Sequence, residues 1–181
     1  MEKATFAGGC FWCTEALFKR LKGIVSVTSG YTGGTTKNPR YEEVSLGSTG
    51  HAEAILVEFD PKIISYKKLI TIFFHLHDPT TLNRQGSDSG TQYRSAIFCH
   101  TPFQKREALG IRELLDDGHV FRNPIVTTVE MLTQFYPAED MQKDYYVKNS
   151  YQPYCQYVIV PKVTKLLKDY GTEVKDEYKL K

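Results

Sequence analysis

Between Lys3 and Cys99 the apolar residues change period in a set order, two for strands and three to four for helices, and few folds accept that order. Lys3–Ala7 reads as a short strand ended by Gly8-Gly9. Leu17, Phe18 and Leu21 recur at helical spacing between Thr14 and Lys22, with Gly23 placed as a cap. Ile24–Ser29 alternates like a strand, and Ala54–Phe59 is a second, stronger one broken by Asp60-Pro61. Tyr66–His77 predicts a helix apolar on much of its surface, and Ser95–Cys99 another short strand. Strand, helix, strand, strand, helix, strand is the split βαβ plan. The expected class is therefore α+β, a ferredoxin-like two-layer sandwich with helices packed on an antiparallel sheet. A helix over Pro102–Asp117, closed by Gly118, and a strand over Ile125–Leu132 follow. Gly30–Gly50 and Asp78–Tyr93 read as long functional loops, and the chain from about residue 137 as an irregular tail. With 181 residues, a single domain over 1–181 is expected.

Composition excludes several classes. The 23 basic and 21 acidic residues leave a net charge of +2, too small and too interspersed for a nucleic-acid footprint. No apolar run reaches the length of a membrane span, and Met1-Glu2-Lys3-Ala4 leads straight into the first strand without the apolar stretch of a signal peptide. The expectation is a cytoplasmic protein with no membrane and no nucleic-acid partner. In such a compartment the four cysteines, at 10, 13, 99 and 155, are thiols, metal ligands or redox partners rather than a disulfide framework.

The sharpest local feature is Gly8-Gly9-Cys10-Phe11-Trp12-Cys13-Thr14-Glu15, where a strand gives way to a helix. A cysteine there faces unpaired backbone N–H groups and the positive end of the helix dipole, both of which favour thiolate. The apolar pair Phe11 and Trp12, and the charge of Glu15, oppose it, so the sign of the net effect on Cys10 stays open. Cys13 stands one turn further on, where a second sulfur could reach the first. Read plainly, the two cysteines are small buried residues at a junction, or half of a zinc site, or the pair of a dithiol–disulfide oxidoreductase. Zinc needs two more ligands, and His75 and His77 are two apart on a helix, so they point to different faces. No metal site is expected. Glu53 at a strand's start and Asp88 among serines and glycines are, on their own, a solvated strand end and a turn former.

Taken together, several segments resemble a family. Gly9-Cys10-Phe11-Trp12, Gly30-Tyr31-Thr32-Gly33-Gly34, Asn38-Pro39-Arg40-Tyr41-Glu42-Glu43-Val44, Gly50-His51-Ala52-Glu53 and Gln85 through Ser95 are similar, in this order, to the A-type peptide methionine sulfoxide reductases. The likeness runs from about Thr5 to the region of Tyr136–Tyr146. It implies an enzyme that returns the S epimer of methionine sulfoxide, in proteins or free, to methionine. Cys10 would be the nucleophile, with Phe11 and Trp12 lining the pocket for the S-methyl group. Glu53 would protonate the sulfoxide oxygen, Tyr41 and Tyr93 would hold it, and Asp88 would support the site. Cys10 would pass through a sulfenic acid to a disulfide, recycled by a thioredoxin-like reductant with no bound cofactor. The enzyme is expected to act as a monomer.

The chain departs from the family pattern at Cys13, where many members carry Gly. Family partner thiols lie in a C-terminal tail, here Cys155 in Tyr154-Cys155-Gln156. Two resolving thiols thus compete, and the expectation leans to Cys155, in a tail able to swing inward. Cys99, within an apolar strand, is expected to be a buried small residue. A general dithiol oxidoreductase, or a non-enzymatic zinc or interaction module, remains the alternative.

Overall fold

The structure, a computed structural model, describes residues 1–179. β1 (Glu2–Gly8) is buried from Ala4 onward and occupies the interior of a six-stranded sheet. It leads through Gly9 and Cys10 into α1 (Phe11–Phe18) and, after a turn at Gly23, into β2 (Ile24–Thr32). A short helix α2 (Tyr41–Ser45) precedes β3 (Ala52–Phe59), α3 (Tyr66–Leu76) follows, and a two-residue-per-strand hairpin, β4 (Arg84–Gln85) and β5 (Asp88–Ser89), precedes β6 (Ser95–Cys99). Then come α4 (Pro102–Asp117), β7 (Thr128–Met131), β8 (Phe135–Pro137), α5 (Tyr145–Lys148), and a π-helical turn (Cys155–Ile159) that opens α6 (Val160–Tyr170). The sheet order is β7-β6-β1-β3-β2-β8. Its central four strands, β6-β1-β3-β2, are antiparallel neighbours in the split βαβ arrangement, while β7 extends one edge in parallel with β6.

Alternation within the strands builds two unequal layers. Phe6, Ile55 and Ile97 belong to a large core shared with α1, α3 and α6, and their neighbours Ala7, Ala54, Ala96 and Phe98 form a small cluster on the other face. The rings of Phe6, Phe18 and Phe73 meet at 5.0–5.2 Å in the large core. Ser65 and Thr101 cap α3 and α4 by accepting the N–H of Lys68 and Gln104, each at 3.1 Å.

Three segments differ from expectation. α1 starts at Phe11, not Thr14, because the extended backbone of Cys10 (φ −59°, ψ 127°) already serves as N-cap; it ends at Phe18, and Leu21 bridges Val174 instead. The expected loop Gly30–Gly50 is partly structured: Gly30-Tyr31-Thr32 continue β2, and Tyr41–Ser45 coil into α2. Beyond residue 137 the chain is ordered into short helices, and α6 docks its Val163, Leu166 and Tyr170 face on the large core. β8, just before it, pairs with β2 through Gly30↔Pro137, Tyr31↔Tyr136 and Thr32↔Phe135. A Cβ at Gly30 would collide with the Tyr136 carbonyl and the Phe135 ring, so glycine is what lets this edge close. Gly30→Val is expected to lower stability by about 1–3 kcal/mol, the usual cost of overpacking, in urea unfolding followed by circular dichroism. An unchanged midpoint would show that β8 is not held there.

Candidate active site

The N-terminus of α1 points at the start of β3. Glu53, opposite Tyr31 in the β2–β3 register, lies on the helix-covered face, and its Oε2 accepts the backbone N–H of Phe11 at 2.9 Å. That bond satisfies one of the orphan donors of the helix's first turn. Only 2% of Glu53 is exposed, and burial raises its carboxyl to about pKa 8 against the opposing pull of the Phe11 N–H. It is a protonated acid at neutral pH.

Cys10, the residue that precedes Phe11, is carried to the same place and is 6% exposed. Burial, the Cys13 sulfur and the Glu53 charge all push the Cys10 thiol well above its ordinary value. Cys13, 1% exposed, is moved the other way, to about 7, chiefly by the neighbouring Cys10 thiol, against burial and with help from the nearby Lys162 charge. The sign left open by sequence thus splits between the two sulfurs. Gly9, at φ +90°, makes the turn that seats Cys10, and a Cβ there would meet the Gln85 side chain at 2.6 Å.

Phe11 is fully buried, its ring 5.7 Å from Tyr31 and 6.3 Å from Tyr41. Trp12 is half-buried and stacked on Tyr145, centroids 3.6 Å apart and planes within 7°, while its Nε1–H donates to Gln142 at 3.1 Å. Tyr41 and Tyr93 are half-buried and feel the charges of Glu53, Cys10 and Asp88. Burial, and after it those charges, raise Tyr41 to about 12 and push Tyr93 above the ordinary phenol range, so both hydroxyls keep their protons. Cys10, Phe11, Trp12, Glu53, Tyr41, Tyr93 and Asp88 therefore gather at one end of α1. Asp88, however, accepts a hydrogen bond from the Tyr154 hydroxyl at 2.8 Å.

Several groups at the site escaped sequence reasoning. Tyr31 and the backbone of Tyr41 converge on the Glu139 carboxylate, Oη to Oε2 at 2.9 Å and N to Oε1 at 2.8 Å. Gln142, Tyr145 and Tyr154 reach α1 from the C-terminal segment. The one cue for them was the run of tyrosines there, Tyr145, Tyr146, Tyr151, Tyr154 and Tyr157, in a segment with little apolar patterning. Cys99 is buried in β6 beside Tyr66, as expected, and Cys155 is buried at the start of the π-helical turn. His75 contacts Tyr170, whereas His77 contacts Ser95 and the Phe73 carbonyl, so the two rings do diverge. Among the described residues no group of three or more His, Cys, Asp or Glu is arranged to hold a metal ion, and no helix is long and apolar enough to cross a membrane.

Known proteins are similar to this chain in sequence and in fold. The family model described as "Peptide methionine sulfoxide reductase" matches residues 2–175. The peptide methionine sulfoxide reductase MsrA of Leptospira borgpetersenii is 53% identical over 177 residues, 98% of this chain and 99% of that one. The MsrA of Deinococcus radiodurans is 53% identical over 174 residues, 96% and 84%. Among solved structures, methionine sulfoxide reductase A of Corynebacterium diphtheriae superposes with TM-score 0.80 at 35% identity, covering 84% of this chain and 77% of that one. Reduced Mxr1 from Saccharomyces cerevisiae gives 0.78 at 35% identity, covering 85% and 88%. Mxr1 in complex with Trx2 gives 0.54 at 28% identity, covering 80% and 84%. A carboxylic acid held protonated against a buried cysteine, on this fold and with this breadth of similarity, has one reading: the chain belongs to the peptide methionine sulfoxide reductases and is an oxidoreductase that acts on methionine sulfoxide.

Proposed function

We propose that Cys10 and Glu53 carry the reduction, and the protonated, buried Glu53 beside the Cys10 sulfur is the observation on which this rests. A sulfoxide sulfur is a poor electrophile until its oxygen gains a proton. Glu53 supplies that proton, Cys10 forms a bond to the substrate sulfur, and the thiol proton of Cys10 returns to the carboxylate. Oxygen transfer then releases methionine and leaves Cys10 as a sulfenic acid, so the substrate sulfur is reduced and the cysteine oxidised. With Glu53 neutral, its charge no longer opposes ionisation of Cys10.

Tyr41 and Tyr93 hold the oxygen through hydroxyls that stay protonated across the physiological range. Phe11 and Trp12 provide the apolar wall for the S-methyl group; Phe11 is wholly covered, so the Trp12 ring offers the reachable part of that wall. Asp88 acts through Tyr154, which it orients. A second thiol, Cys13 or Cys155, converts the sulfenic acid to a disulfide, and a thioredoxin-like dithiol restores both thiols; the yeast relative's complex with Trx2 supports such a reductant. The substrate is the S epimer, in oxidised proteins or free, and the enzyme works as a cytoplasmic monomer without a bound cofactor.

Cys10→Ser is expected to form no methionine from a methionine sulfoxide peptide, measured by chromatography over a single turnover; retained turnover would remove the assignment. Glu53→Gln keeps the shape but cannot give a proton. Its rate of methionine release should fall about 10²–10⁴-fold below pH 8, the usual worth of general acid catalysis. Above about pH 8 the ratio should shrink, because the unaltered Glu53 then loses its own proton. A ratio independent of pH would place the proton donor elsewhere.

A further inference from the structure

We propose that Cys13, not the C-terminal Cys155, is the thiol that resolves the Cys10 sulfenic acid, so that the first disulfide closes within a single turn of α1. This rests on Cys10 being the nucleophile.

The first turn of α1 is tightened. Cys13 N–H donates to the Cys10 carbonyl at 3.1 Å, an i to i+3 bond, whereas the Thr14 N–H reaches the same oxygen only at 3.5 Å. Cys10 is the N-cap of that turn and Cys13 its third residue, so both side chains leave the backbone within one turn of each other. Cys13 therefore lies within the turn that Cys10 caps, and a bond between the two residues calls on no other segment of the chain to move. Their surroundings divide the labour. Cys10 keeps 6% of its surface exposed and Cys13 1%, with the Tyr154 hydroxyl 3.7 Å from the Cys13 sulfur. That hydroxyl is itself fixed by Asp88 at 2.8 Å. Lys162 adds positive potential near Cys13, which favours the thiolate needed for attack.

Cys155 is placed less well. It is completely buried at the first position of the Cys155–Ile159 turn, part of the core beneath α6. To reach Cys10 it would have to unwind that turn and pull the adjoining Tyr154 away from Asp88. Uncovering core residues in this way costs free energy that the Cys13 route does not require.

The step balances simply. Cys13 Sγ bonds to Cys10 Sγ, the S–O bond of the sulfenic acid breaks, and the oxygen leaves as water with the Cys13 proton. The disulfide holds the two oxidising equivalents taken from the substrate until an external dithiol accepts them.

Trypsin places both sulfurs in one peptide, Ala4–Lys19, and Cys155 in another, Asn149–Lys162. After one equivalent of methionine sulfoxide and rapid alkylation, the expected map shows Ala4–Lys19 unalkylated and lighter by two hydrogens. The same product should form in Cys155→Ala. In Cys13→Ser, methionine should still be released once, with a dimedone adduct on Cys10 and no bridge at early times. Ala4–Lys19 cross-linked to Asn149–Lys162 as the first product would overturn the proposal and leave the role of Cys10 intact. Absence of any oxidised Cys10, with no methionine released, would overturn both.

Discussion

The hydrogen bond from the Phe11 N–H to the Glu53 carboxyl joins the two parts of the fold that carry Cys10 and Glu53. It fastens the start of α1 to the start of β3 across a fully covered space, where an unpaired donor or acceptor would be expensive. Because β3 is bonded on both sides, to β1 and β2, the carboxyl is carried on an interior strand of the sheet. The cysteine that precedes Phe11 is thereby set against an acid whose position the core dictates. Burial does the rest, since the desolvation that covers the bond also keeps Glu53 protonated.

Around this pair the site is assembled from distant stretches of chain. β2 brings Tyr31 against Glu139, α2 brings Tyr41 against the same carboxylate, and the loop before β6 brings Asp88 and Tyr93. The C-terminal segment then crosses over α1 with Gln142, Tyr145 and Tyr154. It is anchored on either side, by the pairing of β8 with β2 and by the docking of α6 on the core. A stretch tied down at both flanks can present tyrosines in fixed places without itself being a regular element.

What could be read beforehand followed from period. Ala54–Phe59, Tyr66–His77, Ser95–Cys99 and Pro102–Asp117 carry strong apolar repeats with clear breakers, and the structure holds elements at each. Gly30-Tyr31-Thr32 were illegible as strand because a glycine there serves the close approach of β8, a long-range demand that composition disguises as loop. α6 was missed although Val163, Leu166 and Tyr170 share one face, because Pro161 and the surrounding lysines and tyrosines hid its start. Within the site, Cys10, Phe11, Trp12, Tyr41, Glu53, Asp88 and Tyr93 were legible through the ordered motifs of a family. Glu139, Gln142 and Tyr154 were not: each meets partners 66 to 141 residues away, and nothing local marks a residue whose role is set by such a partner.

The stack of Tyr145 on Trp12 has an optical consequence. The chain contains one tryptophan, so its indole emission comes from a single ring at the mouth of the site. That ring is flanked by Tyr145 at 3.6 Å and by Tyr41 at 6.1 Å, with its N–H held by Gln142. Any event that slides Tyr145 aside exchanges an aromatic neighbour for solvent or ligand, and the molecule signals it without a dye. The single indole, two residues beyond Cys10, is a built-in lamp for this end of α1.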